Sequence, residues 1–469
     1  MAAGPLIATF STSAFAHGAE RGFVMLLPTG HFILGGALAV AISFLIVTVL
    51  PGRIFERVYS LRLRLGSIAW PSPVLVSTLS AIILAGLIVI GFKGSRDPLA
   101  NLLPLTIWTV WWVGLVLLHG IAGHLWIYLN PFPGPYALLD RATDGALSRR
   151  PLLIPPAWAA YAPAVFIFLV FAWFQLVAPA PDDPSRLAVA VTVYAIFTFG
   201  AVCLFGPMKW LGEHDPFSIV FRLIAAASPV QLTRQEGPDS RTIVFLRMPG
   251  AGLAEQQALS LWGIMFVLLT LSSVSFDGFS NTFFWLSLGG INPLDFPGRT
   301  AVIPFNSFGL IAAFAALTAI FCAVIFLGWL LAQRRGRVLH LIGTLVLSLV
   351  PISIAFHFAH YLPDLLVNGQ YVLLAINDPL QSGWNILGLV NYHVTTSFLN
   401  TASGSQTIYF IQTLAIVTGH IVGVAVAHRP LLKLGVNRQK LLLLESPIAI
   451  FMAAYTAFGL WTLSSPSIG

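Results

Sequence analysis

Ten stretches of this chain run for roughly the 20 apolar residues that carry a helix through a bilayer, with short polar segments between them. They fall at about 31–50, 74–92, 102–121, 158–177, 187–205, 258–275, 308–331, 339–362, 407–428 and 441–463. Lipid offers no hydrogen-bonding partner, so a spanning segment must satisfy its own backbone, and an α-helix does so within one segment. Charged residues make up 9% of the 469 positions and mean hydropathy is +0.86; a soluble domain carries about a quarter charged residues. A water-soluble surface is thereby excluded. The predicted fold is all-α, a polytopic integral membrane helical bundle of about 10 transmembrane helices, with 1–469 forming a single membrane domain whose main contact is the lipid bilayer.

The loops alternate in charge. Of the 24 Lys and Arg, nineteen fall on one side, within 53–64, 141–150, 209–247, 334–337 and 429–440. The other side holds only Arg21, Lys93, Arg96, Arg186 and Arg299. The positive-inside rule then faces both termini outward. The net charge of +7 is spread along inner loops, and no nucleic-acid partner is expected. Cys203 and Cys322 both lie in apolar spans, which offers no disulfide framework and no CxxC motif.

Residues 1–30 form an outer N-terminal segment. Within it, Ala-Phe-Ala before His17 resembles a signal-peptidase site ending at 16, although no Lys or Arg precedes Arg21 to supply a charged n-region. If cleaved there, the chain would begin at His17, whose amine and ring together chelate copper. The long inner segment 206–257 contains "DPFSIVFRLIAAASP", expected as an amphipathic helix in the inner interface. Two long outer loops, 281–306 and 368–406, have the length of functional or lid-like connections. "HLWIYLNPFPGPYALLDRA" and "MKWLGEHDPFSIVFRLIAA" each follow a span and share Trp, then Asn-Pro-Phe or Asp-Pro-Phe. They are either a parallel two-helix repeat or two unrelated turn-forming segments.

Ionisable groups inside a membrane are costly and are functional hypotheses by default. In "SIAFHFAHYLPDLL" (353–366), His357 and His360 fall on one helix face at 100° per residue, with Ser353 a turn before and Asp364 a turn after. Pro363 is expected to kink or end the helix. Two histidines at this spacing supply two metal ligands, and a catalytic metal needs a third ligand and an open position. Outer candidates for the third are His31, His393 and Asp277; His420 lies mid-span. Equally, these histidines are interhelical hydrogen-bonding groups. A haem held by His360 and His420 is the less favoured geometry. His119 and His124 are expected at the inner surface, and Glu445 is expected to pair with a loop Arg. Walker A, HExxH, GxSxG and CxxCH motifs are absent.

"SSVSFDGFS" (272–280), "LVPISIAFHFAHY" (349–361), "NGQ" (368–370), "DPLQSGWNILG" (378–388) and "YFIQTLAIVTGHIVGVAVAH" (409–428) together resemble a bacterial family of multispanning membrane proteins labelled fenitrothion hydrolase-like. The likeness covers most of the chain. The positions it shares are His17, Asp277, His360, Gln370, Asp378, Trp384, Asn385, Gln412, His420 and His428. His357 departs from the family pattern, which favours a site built from His360, Asp277 and His420 on three helices. The resemblance implies the bacterial inner membrane, both termini periplasmic, and organophosphate ester cleavage by a metal-bound hydroxide, with Asp277 or Asp378 as base or ligand.

Three functions follow as expectations. The first is a metal-dependent hydrolase of phosphoester-like substrates, using zinc or copper held among His360, His357, His420, His31 and His17. The second is a membrane subunit of a redox or copper- and haem-handling complex, with a membrane or periplasmic protein partner. The third is a transporter of a small molecule.

Overall fold

A short polar side chain opens many of the long helices. Asn101, Asp183, Ser260, Thr401 and Asn437 each accept a hydrogen bond from a first-turn backbone N–H, satisfying a donor the helix itself leaves unpaired. The computed structural model describes residues 29–69, 71–149, 153, 155–235, 241–295, 297–389 and 392–466. Its principal helices are α1 (Thr29–Val49), α2 (Pro73–Lys93), α3 (Leu102–Ala122), α4 (Pro133–Ala142), α5 (Ala162–Leu176), α6 (Pro184–Phe205), α7 (Pro216–Ala227), α8 (Leu261–Ser280), α9 (Arg299–Leu331), α10 (Val338–Asn377), α11 (Ala402–Leu432) and α12 (Arg438–Ser464).

Among the described residues nine of these, all but α4, α5 and α7, are long and apolar enough to cross a membrane. The protein is a polytopic all-α bundle. The predicted span at 158–177 is the exception: Tyr161 takes φ 69° before Pro163, so α5 starts late and has 15 residues. At 1.5 Å per residue it covers only about 22 Å. The most buried of the nine spans, α8 and α10, form the centre, while α1 and α2 bury 17% of their apolar windows and are left facing lipid.

Close approach fixes the α10–α11 contact. A Cβ on Gly419 would lie 2.8 Å from the Pro351 carbonyl oxygen, and one on Gly423 2.8 Å from that of Ser348. Small residues one turn apart let membrane helices touch backbone to backbone. Pro363 does not end α10, which continues to Asn377. Proline deprives the Ala359 carbonyl of its amide partner, and Gln412 Nε2 on α11 donates to that oxygen at 2.7 Å. Residues 368–377 are therefore helix, and the following loop begins at Asp378.

Three short strands, which the sequence reading did not anticipate, gather at one end of the bundle. β1 (Arg62–Ala69), β2 (Val230–Arg234) and β3 (Arg241–Arg247) pair antiparallel in the order β1-β3-β2. This is the sheet end; the connections 281–298 and 378–401 mark the opposite, loop end. The segment expected to lie in the interface folds as α7 but is buried on nearly all sides, ten of its 12 residues being inaccessible. A helix apolar all round belongs in a core. Arg247 closes its C-terminus, donating from Nη2 to the carbonyls of Ala225 (3.0 Å) and Ala226 (3.1 Å) and from Nε to Ser228 (3.1 Å).

The two echoing segments follow one course. Each leaves a span through a glycine in the left-handed region (Gly123, φ 87°; Gly206, φ 80°), makes a short helix (Trp126–Leu129; Pro207–Glu213), then opens α4 or α7. Only glycine adopts that φ without strain. Their motifs meet at Ser218, whose Oγ accepts from Asn130 Nδ2 and Trp126 Nε1, both at 3.1 Å, while its N–H donates to Asp215.

Gly423→Val is expected to destabilise the bundle by about 1–3 kcal/mol through overpacking, measured by unfolding in detergent. Gly35→Ala, with nothing within 4 Å of the new Cβ, should leave stability unchanged.

Candidate functional site

Asp277, Tyr361 and His360 come together because α8 and α10 pack side by side in the centre of the bundle. Asp277 lies in the last turn of α8, and "HFAHY" carries the two rings on α10. His360 Nε2 is 3.0 Å from Asp277 Oδ2, with both side chains about 15% exposed. The Tyr361 hydroxyl donates to the same oxygen. Gln175 Nε2, from α5, donates to the Tyr361 oxygen at 2.6 Å, and Arg299 at the start of α9 donates from Nη1 to the Gln175 carbonyl at 2.8 Å. A chain of hydrogen bonds from four helices thus leads to one carboxylate, near the loop end.

Beneath it lies a cavity of ≈ 60 Å³ running toward the sheet end. Tyr361, Gln175 and His357 line its upper part, and Val220, Leu223 and Ile224 of α7 line its floor. Between them Thr270, Ser273 and Ser353 also reach it, each hydroxyl donating to a carbonyl of its own helix (Val267, Thr270 and Leu349). Their lone pairs remain as acceptors. The cavity suits water or a very small solute, being far below the roughly 300–1,000 Å³ of a drug-sized ligand site.

His357 and His360 share a helix face but serve different neighbours. His357 Nε2 meets the Trp112 carbonyl at 2.8 Å, and its ring stands edge-on to the Trp112 indole. Residues Leu105–Leu115 of α3 are wound as a π-helix, a form concentrated at functional places, and Trp112 lies within it. His420 Nδ1 bonds the Ile416 carbonyl at 2.9 Å, fixing the proton on Nδ1, while Nε2 has no partner among the described residues. It packs against Phe356 and Tyr455. His31 is exposed at the start of α1, and His393 is exposed in the loop. His17 lies outside the described residues. Asp378 accepts from the N–H groups of Ser382 (2.9 Å) and Gly383 (2.8 Å), shaping the turn after α10.

Among the described residues no group of three or more His, Cys, Asp or Glu is placed to hold a metal ion. His360 and Asp277 converge; His420 does not join them. The donor set for zinc or copper is incomplete there, and ≈ 60 Å³ does not accommodate a haem. Gln370 fastens the structure: it donates to the Thr395 carbonyl and accepts from the Thr395 N–H, both at 3.0 Å, pinning the loop to α10.

Two expectations need correction. Glu445 pairs with His428 (Nδ1 to Oε1, 2.7 Å) rather than with an arginine, since nearby Arg429 is taken by Glu56 (3.3 Å) and Glu255 (3.2 Å). His119 is fully buried, not at the surface; it bonds the Leu115 carbonyl and accepts the Trp126 N–H. Tyr361 and Gln175 are the site residues the sequence reading passed over. Gln175 is a lone amide in an otherwise apolar run, and that was its signal.

A double-mutant cycle on Asp277→Asn and His360→Gln should show a coupling of about 0.5–3 kcal/mol in unfolding free energy, as residues in contact do. The cycle pairing Asp277→Asn with His420→Gln should be additive within about 0.5 kcal/mol; strong coupling there would restore the three-helix site. No family model, curated protein or solved structure matches the chain.

Proposed function

We propose that this protein is a proton-coupled transporter of a small solute in a bacterial inner membrane. In this reading both termini and the Asp277 cluster are on the periplasmic side and the arginine-rich sheet end is in the cytoplasm. One observation carries the reading: Tyr361, whose hydroxyl is bonded to Asp277, is also a residue of the cavity wall. An ionised Asp277 accepts from both His360 and Tyr361 at a single oxygen. Protonating it weakens its acceptance, and the phenol is then held mainly through Gln175. A proton arriving at Asp277 therefore changes the wall that a cavity occupant meets, which is the differential contact a coupled transporter requires.

The hydrolase reading, supported by the family resemblance, is kept second. The observation favouring it is the His360–Asp277 pair beside a cavity sized for water, the arrangement of a general base. The redox reading lacks a converged ligand set among the described residues.

The test uses purified protein in proteoliposomes enclosing a pH-sensitive dye, with a panel of small solutes added outside. At least one solute should drive proton flux. Asp277→Asn should cut it by about a hundredfold, the scale of a lost proton-transfer group, and Tyr361→Phe should uncouple it by about tenfold. Turnover of a nitrophenyl phosphotriester that disappears in Asp277→Asn, without solute-driven flux, would replace this reading with the hydrolase.

A further inference from the structure

The bundle holds a second carboxylate–imidazole pair, which the outer cluster does not use. His428 on α11 and Glu445 on α12 meet at 2.7 Å, each side chain 3% exposed. Beyond that bond, His428 Nε2 and Glu445 Oε2 have no hydrogen-bond partner among the described residues. Both residues line a small cavity of ≈ 10 Å³, whose remaining wall is apolar: Phe44, Val424, Ile448 and Met452 among others. That is about the space one water needs.

The surrounding charges do not serve this pair. Arg429, next in sequence, bridges Glu56 and Glu255 and lies over the Tyr59 ring, 5.5 Å from its centroid. Glu255 also binds Arg62 at 2.6 Å. The segment Gly52–Tyr59 packs the Phe55 ring against His428, edge-on at 5.0 Å. From α1 comes Phe44, and from α12, besides Glu445, the apolar Ile448, Ala449 and Met452.

With one proton in the Nδ1–Oε1 bond the pair carries a net negative charge in apolar surroundings, a state that burial disfavours. A second proton, on Glu445 Oε2 or His428 Nε2, cancels that charge. Water entering the small cavity is the acceptor that removes it again. We infer that His428 and Glu445 form a second proton-binding site toward the sheet end, loaded and unloaded in turn with Asp277–His360.

The groups between the two sites are titratable as well. His420 sits eight residues from His428 on α11, roughly 12 Å along the helix, with Nε2 unpartnered among the described residues. Its ring lies 6.5 Å from that of Tyr455, whose hydroxyl is 2.6 Å from Ser275 Oγ, two residues before Asp277. The inference rests on the proton-coupled reading for its role, but the protonation itself is measurable without transport.

The experiment is infrared difference spectroscopy of the full chain in lipid nanodiscs, titrated with acid, with ¹³C-glutamate labelling. A protonated carboxyl band that shifts with the glutamate label, persists in Asp277→Asn and vanishes in Glu445→Gln is the expected result. If Glu445→Gln does not fold, loss of the same labelled band in His428→Gln serves instead. A labelled band unaltered in Glu445→Gln, or none at any pH that keeps the protein folded, overturns the inference. In proteoliposomes Glu445→Gln should lose solute-driven flux about as fully as Asp277→Asn. Unchanged flux despite a Glu445 band overturns the site's role. If instead Asp277→Asn abolishes flux and Glu445 never protonates, the inference fails while the transporter reading stands.

Discussion

A polar group that enters hydrocarbon must find its partner inside the protein, and nearly every specific contact in this bundle answers that demand. Pro363 leaves a carbonyl without its amide, and Gln412 crosses from the next helix to supply a donor. His357 turns to a backbone oxygen of α3, and His420 to one of its own helix. Asp277 collects a phenol and an imidazole. Lipid gives the helices no hydrophobic reason to prefer one neighbour over another. These bonds, together with the close glycine seam of Gly419 and Gly423, decide which helices lie side by side.

Chemistry concentrates where the satisfaction is richest or least complete. At Asp277 one oxygen serves two donors beside a space for water; at His428 and Glu445 two atoms have no partner among the described residues. Both are carboxylate–imidazole pairs between neighbouring helices, and they stand at different depths. The pair near the loop end is joined to its cavity through Tyr361, whereas the one toward the sheet end lines its cavity directly.

The spanning helices were legible in the sequence because an apolar run of bilayer length admits few other folds. Span 158–177 was read too long, since composition does not reveal that Tyr161 adopts a left-handed turn before Pro163. The strands carry a period-two signal in "RLRLGSIA" and "RTIVFLR", yet β1 pairs with a segment far along the chain, and register over such a distance is set by tertiary packing. Asp277 and His360 stood out as polar interruptions of apolar runs. Which histidine would join them was not legible, because periodicity gives the face of a helix but not the neighbour it meets. Glu445 shows the same limit: a loop arginine is the partner its place near a span end suggests, but Arg429 is held by two glutamates and the carboxylate pairs with His428.

The guanidinium of Arg247 has a mechanical consequence. It belongs to strand β3, yet it grips the last carbonyls of α7, whose side chains form the floor of the upper cavity. The exposed strand β1 is hydrogen-bonded to that same β3. The small sheet is therefore anchored to a helix buried among the spans, by the Arg247 guanidinium as well as by the short connection from α7 into β2, and the wall of the cavity is held in register with the sheet.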